Sequence, residues 1–394
     1  MTRRPLLQIL CTIFLAVTFF QPASAEVITD NDYKFSLDIP EGYKVEDYTE
    51  DGMSYIFTHP NIPVTLVLKI YQENEPSTAP KVLQKALTKL SAKSEIDKVE
   101  WSESISAVSS FNMLLDKAYT GWAVCSPLQI QNSFLALLCY SPTEKFDICQ
   151  QFIMSTINSL CINDDFYNCP GIITTYAFPS EGVKNISATI AGKKISSQID
   201  NVDQEAANFV VDLEYAVLTL YTNHKLWKEA WQRYYKMIYR DSYSRILKFS
   251  GQTFNTLYPL AEKSNPQNPD ITYAQYLLSW VQTFEYQRAE NKNYSDFTSI
   301  PAVLCGQGND CDSRSMLVSI MLNAIGIDTI ILFSPEYSHA MVAANITAPG
   351  QTYPLESNQK EYIFGETTAK VTWGMIAQSQ TDRSKWIPVK FCKD

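Results

Sequence analysis

Period-two alternation of apolar and polar residues opens the chain beyond its first 25 positions. Tyr33, Phe35, Leu37 and Ile39 alternate with polar neighbours, as do Val64, Leu66, Leu68 and Ile70. That spacing predicts strands with one buried face. Thr78-Ala79-Pro80 predicts a helix start, and Val82, Leu83, Ala86, Leu87 and Leu90 share one helical face behind it. Strand-like runs recur at residues 122–125 and 134–140. A second helical face then gathers Phe146, Cys149, Ile153, Ile157 and Leu160. The order β-β-α-β-β-α predicts a small α+β domain over residues 26–165 that folds as its own unit.

Residues 166–202 are richer in turn formers and read as a junction, with a hairpin expected around Ala191-Gly192-Lys193. A second domain is expected over 203–394. Asp203 is placed to cap a helix carrying Ala206, Val210, Leu213, Val217 and Leu220. Trp227, Trp231, Tyr234, Tyr235 and Ile238 line the next one. An aromatic stripe at helical spacing is the pattern of a packed core. A further helix runs through Tyr276, Leu277, Trp280, Val281 and Phe284.

The chemistry concentrates after residue 305. Asp310 is a suitable N-cap for a helix whose face is Met316, Leu317, Ile320, Met321 and Ala324, and Gly326 ends it. Cys311 therefore falls in the first helical turn, where partial positive charge and free N–H groups favour a thiolate and can hold an oxyanion. The glycines at 306 and 308 are expected to leave the sulfur exposed. Asp310 and Asp312 oppose ionisation of the thiol, so a modest lowering of its pKa is expected. Strands over 327–333, 338–344 and 362–367 follow. His339 lies on the second with Met341 and Ala343, and Glu366 on the third with Tyr362 and Phe364. Antiparallel neighbours of this kind can bring His339 beside Glu366, opposite Cys311. Nucleophile, base and orienting acid would then stand in order.

Residues 308–315 (Gly-Asn-Asp-Cys-Asp-Ser-Arg-Ser), Gly326-Ile327, Ser338-His339-Ala340-Met341 and Gly365-Glu366-Thr367-Thr368 resemble the transglutaminase-like domain of the papain-like cysteine enzymes. The resemblance implies a helix carrying the cysteine packed on an antiparallel sheet carrying histidine and acid. It implies Cys311 as nucleophile, His339 as general base and Glu366 as third member. It also implies thiol attack on an amide or peptide carbonyl, a protein or peptide substrate, and no metal or organic cofactor. Gln282 resembles a glutamine that assists the oxyanion in some bacterial relatives. Many relatives have Asp where Glu366 stands. Residues 26–165 look weakly like the PsbP α+β fold. A second hypothesis keeps the fold without catalysis, as a scaffold for an envelope peptide or protein.

Charge and composition narrow the setting. Forty-two acidic residues against 32 basic ones give a formal charge of −10, which argues against nucleic acid as a partner. Arg3-Arg4, an apolar run from Leu6 to Phe20 and Ala23-Ser24-Ala25 read as a signal peptide over 1–25, with Glu26 as the mature N-terminus. An uncleaved anchor is the alternative, and no later segment is long enough to span a bilayer. Export to a periplasmic or extracellular space makes disulfides the expected fate of the eight cysteines beyond Cys11. Cys125/Cys139 and Cys161/Cys169 are candidate pairs. Cys311 itself could be bridged to Cys305 or Cys392 rather than act as a nucleophile.

Overall fold

The computed structural model describes residues 27–287 and 295–391. The expected signal segment and Cys392 lie outside the described residues. Along the first half run β1 (Val27–Asp30), β2 (Phe35–Asp38), β3 (Lys44–Tyr48), β4 (Ser54–Thr58), β5 (Thr65–Gln72) and α1 (Ala79–Lys89). Next come β6 (Lys93–Ser94), β7 (Asp97–Trp101), β8 (Ser104–Leu114), β9 (Ala118–Pro127), β10 (Ser133–Pro142), α2 (Phe146–Asn158), β11 (Leu160–Cys161) and α3 (Ile172–Ala177). The second half holds β12 (Val183–Ile190), β13 (Lys193–Asp200), α4 (Asp203–Thr219), α5 (Trp227–Ser264) and α6 (Pro269–Val281). It closes with α7 (Ile300–Leu304), α8 (Cys311–Asn323), β14 (Thr329–Ser334), β15 (His339–Ala344), β16 (Thr352–Leu355), β17 (Lys360–Gly365) and β18 (Ile387–Lys390).

The fold is mixed α+β, with all of its ladders antiparallel. An extended sheet in the order β3-β4-β5-β10-β9-β8-β6, with β7 also on β8, fills the N-terminal part. Period two along β10 sends Leu135, Leu137 and Cys139 into the core that α2 covers. It sends Ala136 and Leu138 under α1. The β6–β8 strands were not expected. Serines at 104, 106, 109 and 110 mask the alternation of β8, although Ser106 and Ser109 are buried and hydrogen-bonded there.

The junction holds the expected hairpin. β12 pairs with β13 across Ala191 and Gly192, both left-handed, at φ 48° and 73°. Asp203 opens α4 as its first residue rather than as its cap, and its carboxylate instead takes the Arg245 guanidinium at 2.7 Å. The aromatic stripe belongs to α5, a single helix of 38 residues with Pro259 inside it.

One apolar core runs from Phe35 in β2 through α2, α4 and α5 to Val389 in β18. At its centre Arg233, 1% exposed, donates from Nη1 to Glu214 Oε2 at 2.6 Å, from Nη2 to Ser155 Oγ at 2.9 Å and from Nε to the Asp38 carbonyl at 3.0 Å. Tyr221 Oη donates to the Glu41 carbonyl at 2.7 Å nearby. These bonds tie β2, α2, α4 and α5 to one another.

The expected disulfides are absent among the described residues: Cys125, Cys139, Cys149, Cys161, Cys169, Cys305 and Cys311 are not bridged, and Cys161 Sγ donates to the Asn163 carbonyl at 3.0 Å. Register gives the reason for the first pair. Cys125 stands opposite Ala136, three residues from Cys139, so the two thiols fall on opposite faces of the sheet.

Candidate active site

The α8 N-terminus is built as its sequence expects. Asp310 Oδ1 accepts from the Ser313 N–H at 3.0 Å and from Ser313 Oγ at 2.7 Å, capping the helix and placing Cys311 first in it. Arg314, 1% exposed, fixes this turn from behind. It donates to Asn309 Oδ1 at 2.6 Å, to the Phe284 carbonyl at 2.9 Å and to the Thr367 carbonyl at 3.3 Å. The last bond links the cysteine-bearing helix to the segment that carries Glu366.

The second half of the site lies on the five-stranded sheet of order β16-β17-β15-β14-β18. His339 is the first residue of β15 and pairs with Ser334 across the turn from β14. β17 ends at Gly365, so Glu366 stands just beyond the strand rather than within it. His339 Nε2 and Glu366 Oε2 are 2.8 Å apart, with both side chains mostly buried. Glu366 Oε1 accepts from the Thr368 N–H at 2.7 Å and from its hydroxyl at 2.6 Å. Burial works to raise the Glu366 pKa, but the bonds from His339 and Thr368 outweigh it and hold the carboxyl below its ordinary value.

Cys311 departs from expectation. The residue is fully buried, so the glycines do not leave its sulfur exposed. Burial pushes the thiol far above its ordinary pKa, and Asp312 and Asp310 push the same way against the Ala340 N–H. The positive helix end is outweighed by loss of water and by two neighbouring carboxyl groups. Sγ donates to Asp312 Oδ1 at 3.2 Å, and the other oxygen of Asp312 accepts from Tyr235 Oη at 2.9 Å. Asp310 is itself raised to about 8, by burial and then by Asp312, and its Oδ2 has no hydrogen-bond partner among the described residues.

The structure thus joins His339 to Glu366 directly and sets Cys311 against Ala340, the residue after His339. No hydrogen bond joins the sulfur to the imidazole among the described residues, and His339 Nδ1 has no partner there. Gln282 takes another role than the oxyanion one. Its amide donates to the Glu366 carbonyl at 2.8 Å and to the Val371 carbonyl at 3.0 Å, which anchors the Glu366 segment and occupies its N–H groups. Sequence reasoning missed Tyr235 and Arg314 as parts of this site. Arg314 lies inside the motif at residues 308–315 and Tyr235 inside the aromatic stripe, but neither pattern gives its residue a part in the site.

No protein-family model matches the sequence, and no curated protein sequence matches it either. Among solved structures, the cyanobacterial PsbP (CyanoP) of Synechocystis sp. PCC 6803 is 11% identical and overlaps 36% of this chain and 94% of its own, at a TM-score of 0.30. LpqN of Mycobacterium tuberculosis, involved in cell envelope biogenesis, is 14% identical over 35% of this chain and 90% of its own, at a TM-score of 0.27. A protein of Bacteroides thetaiotaomicron VPI-5482 is 10% identical over 92% of this chain and 94% of its own, at a TM-score of 0.26. The expected PsbP likeness has a weak structural counterpart and no more. At such scores these likenesses carry no argument about function. Among the described residues no helix is long and apolar enough to cross a membrane.

Proposed function

We propose that this chain is an exported, transglutaminase-like cysteine enzyme that cleaves or transfers amide acyl groups through Cys311, His339 and Glu366. The observation that carries the reading is the 2.8 Å bond between His339 Nε2 and Glu366 Oε2 at the α8–β15 seam. It leaves Nδ1 as the nitrogen available to the thiol proton. In the proposed reaction the Sγ–H proton passes to Nδ1 as sulfur adds to the amide carbonyl. The C–N bond then breaks, and the amine leaves with that proton. Water or a second amine resolves the thioester. The Cys311 backbone N–H is the oxyanion donor in this scheme.

A second reading, a non-catalytic scaffold for a peptide or envelope protein, is favoured by the complete burial of Cys311 and its protonated resting state. One experiment separates the two. Purified protein is incubated with casein and a fluorescent amine, beside Cys311→Ala and beside a sample labelled with iodoacetamide in its native state. Release or incorporation that depends on Cys311 supports the enzyme. An unlabelled Cys311 with no turnover supports the scaffold.

A further inference from the structure

A cavity of about 840 Å³ opens between the end of α4, the start of α5 and the β14–β15 turn, with Tyr215, Trp227, Trp231 and Pro335 among its walls and Lys225 at its rim. Three observations set it apart. The first is its floor. The Trp231 ring lies 5.8 Å from those of Tyr235 and Phe333, and Tyr235 is the residue that donates to Asp312, the acceptor of the Cys311 proton. Two successive contacts, Trp231 on Tyr235 and Tyr235 on Asp312, therefore connect the cavity to the group that accepts the thiol proton. The second is its rim. Pro335 belongs to the turn that begins at Ser334 and delivers His339. The third is its charge. No carboxylate lines it, and Glu336 beside Pro335 is held by Lys385 at 2.6 Å. Lys225 has no carboxylate partner among the described residues.

We propose that this cavity is the specificity subsite for the acyl donor. It takes an apolar aromatic side chain of a polypeptide that carries a carboxylate close by, which Lys225 meets. The inference rests on the acyl-transfer reading of Cys311 and names its substrate class. Aromatic walls give large contact area to another ring. The two threonine hydroxyls that line the cavity already donate to the chain. Thr219 Oγ1 donates to the Ala216 carbonyl at 2.7 Å and Thr222 Oγ1 to the Thr219 carbonyl at 2.8 Å.

The test is calorimetric titration of the full mature Cys311→Ala chain, where binding is read without turnover. The probe is the blocked peptide acetyl-Glu-Phe-Gln-Gly-amide, beside one counterpart with Ala for Phe and one with Lys for Glu. The parent peptide is expected to bind at least about tenfold tighter than either counterpart. Lys225→Glu, a change at an exposed position, is expected to reverse the preference between the Glu and Lys peptides. Trp231→Leu is expected to remove the preference for Phe. Equal affinities for the three peptides, or a preference that Lys225→Glu leaves intact, would overturn the subsite. Chitotriose binding that Trp231→Leu abolishes, with no peptide bound, would overturn it too. Peptide binding in a chain whose wild type never turns over would remove the enzyme reading and keep the subsite. Turnover without the peptide preference would do the reverse.

Discussion

Cys311 donates its thiol proton to Asp312 Oδ1 at 3.2 Å, so the next residue in the chain adds to burial in keeping the thiol protonated. Asp312→Asn removes a negative charge from the sulfur's surroundings and lowers the thiol pKa. Each unit of that fall raises the thiolate fraction about tenfold below the pKa. We expect native Cys311 to resist iodoacetamide between about pH 6 and 9 and the Asp312→Asn protein to label measurably faster at every pH in that range. Mass spectrometry of the peptide containing residue 311 gives the rate. Equal rates in the two proteins would mean that burial alone sets the thiol.

The His339–Glu366 bond gives a second expectation. His339→Ala should remove most turnover, and Glu366→Gln should cost less, because a neutral amide can still accept from the ring. Adding either change to Cys311→Ala should have no further effect, since groups acting as one unit are not additive. Initial rates of amine incorporation for the single and double variants measure this.

Stability should fall as the solution becomes more alkaline. Glu41 is raised from its ordinary 4.5 to about 8, first by burial, which outweighs the opposing pull of Arg233. Between those values the folded chain keeps a proton that the unfolded chain has lost, so folding weakens as pH rises and levels off above about 8. Asp310 acts in the same direction over its own range. Thermal midpoints at a series of pH values should show this slope in the wild type. The slope should be reduced in Glu41→Gln and in Asp310→Asn, which keeps a capping oxygen.

Arg233 neutralises a buried acidic surround, and Arg233→Met would leave Glu214 and Asp38 without their cation. Breaking a buried pair from one side costs about 3–5 kcal/mol. Urea unfolding of the two proteins measures the difference.

Residues 26–165 expressed alone would lack Arg233 and Tyr221, which bond to the Asp38 and Glu41 carbonyls. We expect this fragment to unfold at lower urea concentration than residues 26–394. Equal midpoints would support the independent module that the sequence suggests.

Much of the local structure was legible because it depends on near neighbours. The face of α1, the Ala191-Gly192 turn, the Asp310 cap and the β14–β15 pair all follow from spacing of a few residues. The partnership of His339 with Glu366 was legible too, since β15 and β17 are near in the chain and pair side by side, although Glu366 stands just beyond β17 rather than in it. The rest depends on distant segments. No pattern links Arg233 to Asp38, 195 positions away, or Tyr235 to Asp312. The cysteines misled because facing in a sheet depends on register, and register offsets Cys125 from Cys139 by three positions. The burial of Cys311 was hidden for a like reason, because the strand that covers it arrives nearly 30 residues later.

The length of α5 has a consequence for how this chain can change over generations. At about 1.5 Å per residue its 38 residues span about 57 Å. Within less than twenty of them lie Trp231 at the cavity, Arg233 at Glu214, Tyr235 at Asp312, Arg240 at the Tyr167 and Ser159 carbonyls, and Arg245 at Asp203. One inserted residue between Tyr235 and Arg240 would turn everything beyond it by about 100° and separate the downstream arginines from their partners. Surface loops carry no such helical register and tolerate changes in length more readily. This helix accepts substitutions but not insertions, so its length is the dimension that descendants of the chain are obliged to inherit.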